Sequence, residues 1–223
     1  MEKRKVTIRR NAIETFLMFL KDFINSHRKP VIVSTIVILA AVVLFIGSAV
    51  FYDFSTKKDL RAYEVLMTEY ETGTKDDAAF NKTVSELVKL TDNSWFGYVS
   101  RNGYYVAAGL YFEHKKFEDA KTYYLKFADA SSSSPFAPLA LFQAGICAES
   151  LEKYNEALDI YKSIEKEYKD SAFNDRLFYD LGRMQAKKGD KAAAKESFRK
   201  VMTQYPNSVF ATQSKIRLFL LGL

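Results

Sequence analysis

The chain of 223 residues is 48% hydrophobic and 27% charged, carries a net charge of +6 and contains one cysteine. A lone cysteine excludes an intramolecular disulfide, so the fold is not stapled by disulfides. The charge is unevenly placed, because residues 1–30 hold eight Lys or Arg against three Asp or Glu, whereas the remaining residues hold 25 against 24. The basic character therefore belongs to an N-terminal tail and does not indicate nucleic-acid binding.

Residues 1–29 are predicted to form a basic amphipathic tail. Large apolar side chains recur in it at helical spacing, namely Ile13, Phe16, Leu17, Leu20 and Ile24. The surrounding basic residues suit anionic lipid headgroups, so we expect a helix that lies on the inner face of a membrane. The alternative is a helix that docks a cytoplasmic partner.

Residues 30–52 are predicted to form a transmembrane helix. From Val31 to Tyr52 the chain carries no charge, and 14 of these 22 residues are Val, Ile, Leu or Phe. As a helix the run would be about 33 Å long, close to the hydrocarbon thickness of about 30 Å, whereas strands rarely exceed about ten residues. A cleaved signal peptide is the alternative. Its apolar region is only about 7–15 residues long and follows a short leader, so an uncleaved anchor is expected.

The basic flank also predicts the orientation of the anchor. Lys and Arg precede the span and Asp53 follows it, which places the tail in the cytoplasm and residues 53–223 on the other side. Beyond the span, Thr56 and Asp59 form a capping-box pattern that predicts the start of a helix ending near Gly73. A second helix is expected from about Asp76 to Leu90.

The rest of the chain repeats itself. A Ser-x-Phe pattern begins at Ser94, Ser134, Ser171 and Ser208, with separations of 40, 37 and 37 residues. Turn-forming residues precede each pattern, and serine is a favoured N-cap. Each Ser-x-Phe is therefore predicted to begin a helix.

Small and aromatic residues recur within each period. A residue pair whose second member is Ala or Gly lies midway along the first helix, an Ala lies early in the second, and an aromatic follows: Ala107-Ala108, Ala120 and Tyr124; Ala144-Gly145, Ala157 and Tyr161; Leu181-Gly182, Ala194 and Phe198. Glycine inside a helix costs about 1 kcal/mol relative to alanine, so its recurrence needs a packing reason. The reason we expect is close contact between the paired helices.

This pattern resembles the tetratricopeptide repeat. The best-matching unit has Phe178, Leu181, Gly182, Ala194, Phe198 and Pro206, with Gly189-Asp190 as its turn; the others have Leu141, Ala144, Gly145, Ala148, Ala157 and Tyr161, and Tyr104, Ala107, Ala108, Tyr111, Ala120 and Tyr124. The resemblance implies an all-α fold over residues 53–223, an α-solenoid of about four helix pairs closed by a capping helix from Phe210 to Leu220. The pair over residues 57–92 is degenerate.

The order of tail, span and repeats also resembles the bacterial ancillary subunits of the Sec translocon. That resemblance implies a single-pass protein of the cytoplasmic membrane whose repeats face the periplasm or exterior and bind protein partners or emerging unfolded chains, with translocon components among the partners. The alternative is a structural envelope or cell-division component that oligomerises through its repeats without binding clients. No catalytic, cofactor or metal constellation is found, so we expect no enzyme and no cofactor. His27 and His114 are expected to be solvated, and Cys147 to be a buried thiol.

Stacked helix pairs form a groove, and the first helix of each pair lines it. The candidate partner-binding residues are Tyr105, Phe112, Phe142, Ile146, Tyr179, Arg176, Arg183 and Lys187. Tyr105, Phe142 and Tyr179 recur once per unit, and two interpretations stay open: an aromatic ladder that binds extended segments, or packing between neighbouring helices. The three basic residues are expected to attract acidic or carboxylate groups.

Overall fold

A computed structural model describes residues 12–222, and every helix or strand in this range is an α-helix. The helices are α1 (Ala12–Ser26), α2 (Arg28–Thr72), α3 (Asp77–Asn93), α4 (Gly97–Glu113), α5 (Phe117–Ala130), α6 (Ala137–Ser150), α7 (Tyr154–Glu167), α8 (Asn174–Lys187), α9 (Lys191–Gln204) and α10 (Val209–Leu220). The chain divides after Phe54 into two units. The basic residues predicted at the start of the tail, from Lys3 to Arg10, lie outside the described range.

The first unit contains α1 and the apolar part of α2. The large apolar side chains of α1 that recur at helical spacing are exposed to solvent within the structure. Pro30 falls in the first turn of α2, where its missing N–H breaks no hydrogen bond. The hydroxyls of Thr35 and Ser48 donate to the carbonyls of Val31 and Phe45, both at 2.8 Å, so these two polar groups of the run are satisfied within the helix.

Helix α2 continues past the predicted end of the span to Thr72. The expected helix start at Thr56 is therefore wrong. Neither Gly nor Pro lies between Tyr52 and Thr72, so nothing in that stretch interrupts the backbone hydrogen bonds, and a capping-box pattern alone does not stop a helix that is already running. Gly73 ends it instead.

The second unit is a stack of antiparallel helix pairs. The last part of α2 contributes Leu66 and Tyr70 to a buried apolar cluster with Phe80, Val84 and Leu87 of α3. Three closely packed pairs follow: α4 with α5, α6 with α7, and α8 with α9. Helix α10 then covers α8 and α9. The predicted solenoid of about four pairs with a terminal capping helix is thus confirmed.

The small residues midway along the first helix of each pair allow the second helix to approach closely. A Cβ atom on Gly182 would lie 2.7 Å from Cε1 of Phe198, and one on Gly145 would overlap the ring of Tyr161. Both rings are completely buried. Close contact of the paired helices at these two positions is the packing reason that the sequence pattern predicts.

The serine caps are mostly wrong. Only Ser208 is an N-cap, and its hydroxyl accepts from the backbone N–H of Phe210 at 3.1 Å. At the other three starts the N-cap position belongs to the phenylalanine of the Ser-x-Phe pattern. Ser134 and Ser171 lie two residues earlier and form a turn instead, because each hydroxyl accepts from the N–H of that phenylalanine.

The turn inside each of the last three pairs contains a residue with left-handed backbone at the same position. Lys115, Glu152 and Gly189 are 37 residues apart and have φ of 57°, 59° and 83°. The left-handed region reverses the chain in few residues, and glycine enters it without steric cost. The predicted turn at Gly189-Asp190 is confirmed, and Asp190 caps α9 by accepting from the N–H of Ala193 at 3.0 Å.

Candidate protein-binding surface

The residues predicted to line a groove all belong to α4, α6 and α8, the first helices of three successive pairs. We call the surface that they form the A-helix face. The aromatic residues of this face pack on an aromatic of the second helix in the same pair: Tyr105 on Tyr124 at a ring-centroid distance of 5.4 Å, Phe142 on Tyr161 at 5.3 Å, and Tyr179 on Phe198 at 5.8 Å.

Burial separates these three aromatics. Phe142 is 3% exposed and Tyr179 is 8% exposed, so both belong to the core, and the packing interpretation describes them. The guanidinium of Arg176 stacks 4.4 Å from the ring centroid of Phe142 and covers it from outside. Tyr105 is only partly buried, as are Phe112 and Ile146. These last three are the apolar side chains of the predicted groove that a partner can reach.

An ion network joins α6 to α8 on the same face. The guanidinium of Arg183 donates to both carboxylate oxygens of Glu149, at 2.9 and 2.7 Å, and its Nε donates to Oδ1 of Asp180 at 2.7 Å. Nζ of Lys187 lies 3.2 Å from Glu149, and Nε of Arg176 lies 3.5 Å from Asp180. The three predicted basic groove residues are thus paired with two carboxylates of the chain itself, which leaves one net positive charge for a ligand.

The ionisation of this network depends on how deeply each group is buried. Burial disfavours the carboxylate of Glu149, but the hydrogen bonds and charges of Arg183 and Lys187 outweigh it and lower the pKa of Glu149. The side chain of Asp180 is more deeply buried, and there burial outweighs Arg183 and raises the pKa of Asp180. The network therefore holds α6 against α8 through the positive charge of Arg183. Removing that charge would leave the buried Asp180 without its closest partner.

The second helices of the pairs are joined by ion pairs that the sequence reasoning missed. Nζ of Lys121 lies 2.8 Å from carboxylate oxygens of both Glu118 and Glu156, and Nζ of Lys200 lies 2.6 Å from Glu165. The ion pairs that join neighbouring helix pairs, Lys121–Glu156 and Lys200–Glu165, connect residues 35 apart in sequence, close to the repeat period of 37. A search for opposite charges at nearly one period would have found them.

Two single residues need a separate account. Cys147 is fully buried, and burial raises the pKa of its thiol to about 12, so it is a core side chain as expected. His114 is not simply solvated. It caps the end of α4, its Nε2 lies 2.8 Å from the hydroxyl of Tyr70, and its ring stacks on Phe80 at 3.9 Å. It is therefore part of the packing of the first pair.

Sequence comparison agrees with this geometry. The tetratricopeptide repeat family model matches residues 139–171 and 176–208, which cover the pairs α6–α7 and α8–α9. A TPR repeat-containing protein of Treponema pallidum (strain Nichols) is 26% identical over 110 residues, which are 49% of this chain and 46% of that protein. The chain therefore spans about half the length of this curated relative. These two segments, residues 139–171 and 176–208, are similar to tetratricopeptide repeats.

Two solved structures are similar in fold. The crystal structure of MamA has 16% identity and a TM-score of 0.46, and the match covers 61% of this chain and 75% of that one. The apo form of RapI has 18% identity and a TM-score of 0.49, and the match covers 76% of this chain and 47% of that one.

Proposed function

We propose that the chain is a membrane-anchored tetratricopeptide repeat scaffold that binds protein partners or emerging unfolded chains on the outer side of the cytoplasmic membrane. The observation that carries this proposal is the combination, in one chain, of an unburied apolar helix and repeats. Repeats of this kind form protein-interaction surfaces. The Sec translocon is among the proposed partners because of the resemblance in architecture alone.

The anchor is supported by helix α2. It is long and apolar enough to cross a membrane, and its most apolar stretch has no buried residue within the structure. An exposed apolar run of this length would aggregate in water, so it needs a partner, and a bilayer is the partner whose thickness it matches. Arg28 and Lys29 stand before the run and favour a cytoplasmic N-terminal side.

Binding of protein segments is supported by the A-helix face. Tyr105, Phe112 and Ile146 offer partly exposed apolar surface, and Lys187 adds an exposed positive charge near the end of the same face. Rigid aromatic side chains often anchor interfaces because few rotamers are frozen on binding. Extended segments with apolar side chains therefore fit this surface better than folded charged proteins do.

A second function is supported by α10. Its outer face exposes Ile216, Phe219 and Leu220, with Phe219 82% exposed. A solenoid usually closes with a polar surface, so an apolar terminal face favours association with another protein surface. This observation supports the alternative in which the chain is a structural assembly component of the envelope.

Protease accessibility in sealed spheroplasts tests the proposed anchor and its orientation. An epitope at each end of the full chain distinguishes the two sides. Added protease should remove the C-terminal epitope and spare the N-terminal one, because the basic flank holds the tail inside. Survival of both epitopes in intact spheroplasts, with loss of both after lysis, would contradict the proposed orientation.

A further inference from the structure

The loop between α3 and α4 exposes a cluster of aromatic side chains. Trp95, the single tryptophan of the chain, is 78% exposed, and Phe96 and Tyr98 beside it are exposed as well. Tryptophan is usually well covered in folded proteins, so its exposure together with two neighbouring aromatics needs an explanation. The packing of the repeats does not use Trp95.

The position of this loop is fixed against the beginning of the second unit. Gly97 has φ of +87°, and a Cβ atom on it would lie 2.9 Å from Cγ2 of Thr56. The ring of Tyr98 contacts the ring of Tyr63 at a centroid distance of 5.4 Å. Glycine therefore lets the loop lie directly on α2 at Thr56, and the aromatic contact holds it there.

Thr56 lies close in sequence to the end of the apolar run. Four residues, about 6 Å of helical rise, separate it from Tyr52, and even a fully extended connection would not exceed about 14 Å. The polar zone on each side of a bilayer is about 5–8 Å deep beyond the hydrocarbon core. The covalent connection thus keeps the loop near that zone on the side where the span ends.

The chemistry of the loop fits this zone. Tryptophan and tyrosine are enriched at membrane–water interfaces because each ring has an apolar body and a polar tip. The exposed Arg101 lies one turn further along α4, and its Nε donates to the carbonyl of Gly97 at 3.0 Å, which holds a guanidinium over the loop. Guanidinium groups bind phosphate oxygens well, so a phospholipid headgroup suits both parts of the site.

We propose that Trp95, Phe96 and Tyr98 form an interfacial anchor that docks the α3–α4 loop on the lipid headgroups of the membrane that α2 crosses. This proposal rests on the proposed function, because it needs α2 to be the membrane span. The occupant is the lipid surface itself. A partner protein covering the same aromatics is an outcome that the test distinguishes.

Because Trp95 is the only tryptophan, the fluorescence of the unmodified full chain reports on this loop alone. The chain is reconstituted into vesicles of phosphatidylethanolamine and phosphatidylglycerol that contain no other protein. Flotation on a density gradient first establishes membrane insertion. Emission is then quenched from the lipid side, by lipids brominated near the headgroup end of the acyl chain, and from the water side, by iodide.

We expect the floated chain to lose most of its emission to the brominated lipids and little to iodide. A matched control is the double variant Trp95→Phe/Phe219→Trp, which moves the fluorophore to the exposed position on α10. Its emission should be quenched by iodide and not by the brominated lipids.

Each other outcome overturns a defined part of the proposal. If the chain floats but Trp95 is quenched by iodide alone, the interfacial anchor is wrong while the proposed membrane span stands. Equal lipid quenching of the chain and its control would show non-specific association and would also overturn the anchor. If the chain does not float, the proposed span fails and the anchor fails with it. Shielding of Trp95 in native membranes but not in these vesicles would assign the site to a protein.

Discussion

Replacing Arg183 with methionine should lower the free energy of unfolding of the repeat unit by about 3 kcal/mol. Removing one member of a buried ion network costs about 3–5 kcal/mol because the opposite charge stays behind without a partner. The lower end applies here, since Arg176 still lies 3.5 Å from Asp180 and Lys187 lies 3.2 Å from Glu149. Urea unfolding of the detergent-solubilised full chain, followed by circular dichroism, measures the loss.

Two comparisons isolate the cause. Arg199→Met removes the same charge from an exposed position on α9 and should change stability by less than about 0.5 kcal/mol. The triple variant Arg183→Met/Glu149→Gln/Asp180→Asn removes Arg183 and both carboxylates. It should recover much of the loss, because the two charges that remain, Arg176 and Lys187, are exposed to solvent. An Arg183→Met variant as stable as Arg199→Met would show that the network does not hold α6 against α8.

The same variant should depend on pH in a defined direction. Burial already raises the pKa of Asp180 above its ordinary value of 3.8, and loss of Arg183 removes a charge that opposes this rise. A raised aspartate pKa means that the folded state binds the proton more tightly than the unfolded chain does. The deficit of Arg183→Met relative to the natural chain should therefore be largest near neutral pH and shrink as the pH falls through the raised pKa of Asp180.

Adding one methyl group at Gly145 should destabilise the repeats, whereas adding it one residue past the equivalent position of another helix pair, at Gly109, should not. In Gly145→Ala the new Cβ overlaps the ring of Tyr161, which is fully buried and cannot move aside. Overpacking of a core costs about 1–3 kcal/mol, and this outweighs the gain of about 1 kcal/mol that alanine brings to a helix. The melting temperature of the full chain should fall.

Gly109→Ala is the matched control. Gly109 also lies inside the first helix of a pair, but no atom lies within 4 Å of the position of its Cβ. Only the helix-propensity term remains there, so this variant should gain up to about 1 kcal/mol. Opposite signs for the two substitutions are the expected result. A Gly145→Ala variant that melts as high as Gly109→Ala would mean that α6 and α7 do not approach as closely as described.

The sequence alone predicted the features that depend on composition and period. An uncharged run of 22 residues permits few folds, and the recurrence of small and aromatic residues specifies paired helices because only close helix contact requires both. Helix ends were predicted less well. Ser94, Ser134 and Ser171 do not cap helices, because local turns compete for a serine hydroxyl, and this competition is decided by the backbone that follows.

The candidate surface was predicted in position but not in exposure. The 37-residue period places Phe142 and Tyr179 on the A-helix face, but whether a side chain points into the pair or out of it depends on a rotation of the helix that the period does not specify. The pairing of the basic residues was not predicted either. Arg183 was expected to attract an acidic ligand, but it is paired with Glu149, which is 34 residues away and in the preceding helix pair.

The affinity of the full chain for an unfolded polypeptide tests the central claim most directly. The chain is placed in lipid nanodiscs, and binding of a fluorescently labelled, permanently unfolded polypeptide is followed by anisotropy. Saturable binding is expected. Phe112→Ala and Ile146→Ala should weaken it, by about tenfold for each side chain that is an interface hot spot, with the helical content unchanged.

Ile216→Ala removes a similar exposed apolar side chain from α10, away from the A-helix face, and should leave the affinity as it is. Binding no stronger than to empty nanodiscs, or equal affinities for the natural chain and the two A-helix-face variants, would contradict the proposed client-binding scaffold. A chain that binds no polypeptide but self-associates, and loses that association in Ile216→Ala, would establish the structural assembly component instead.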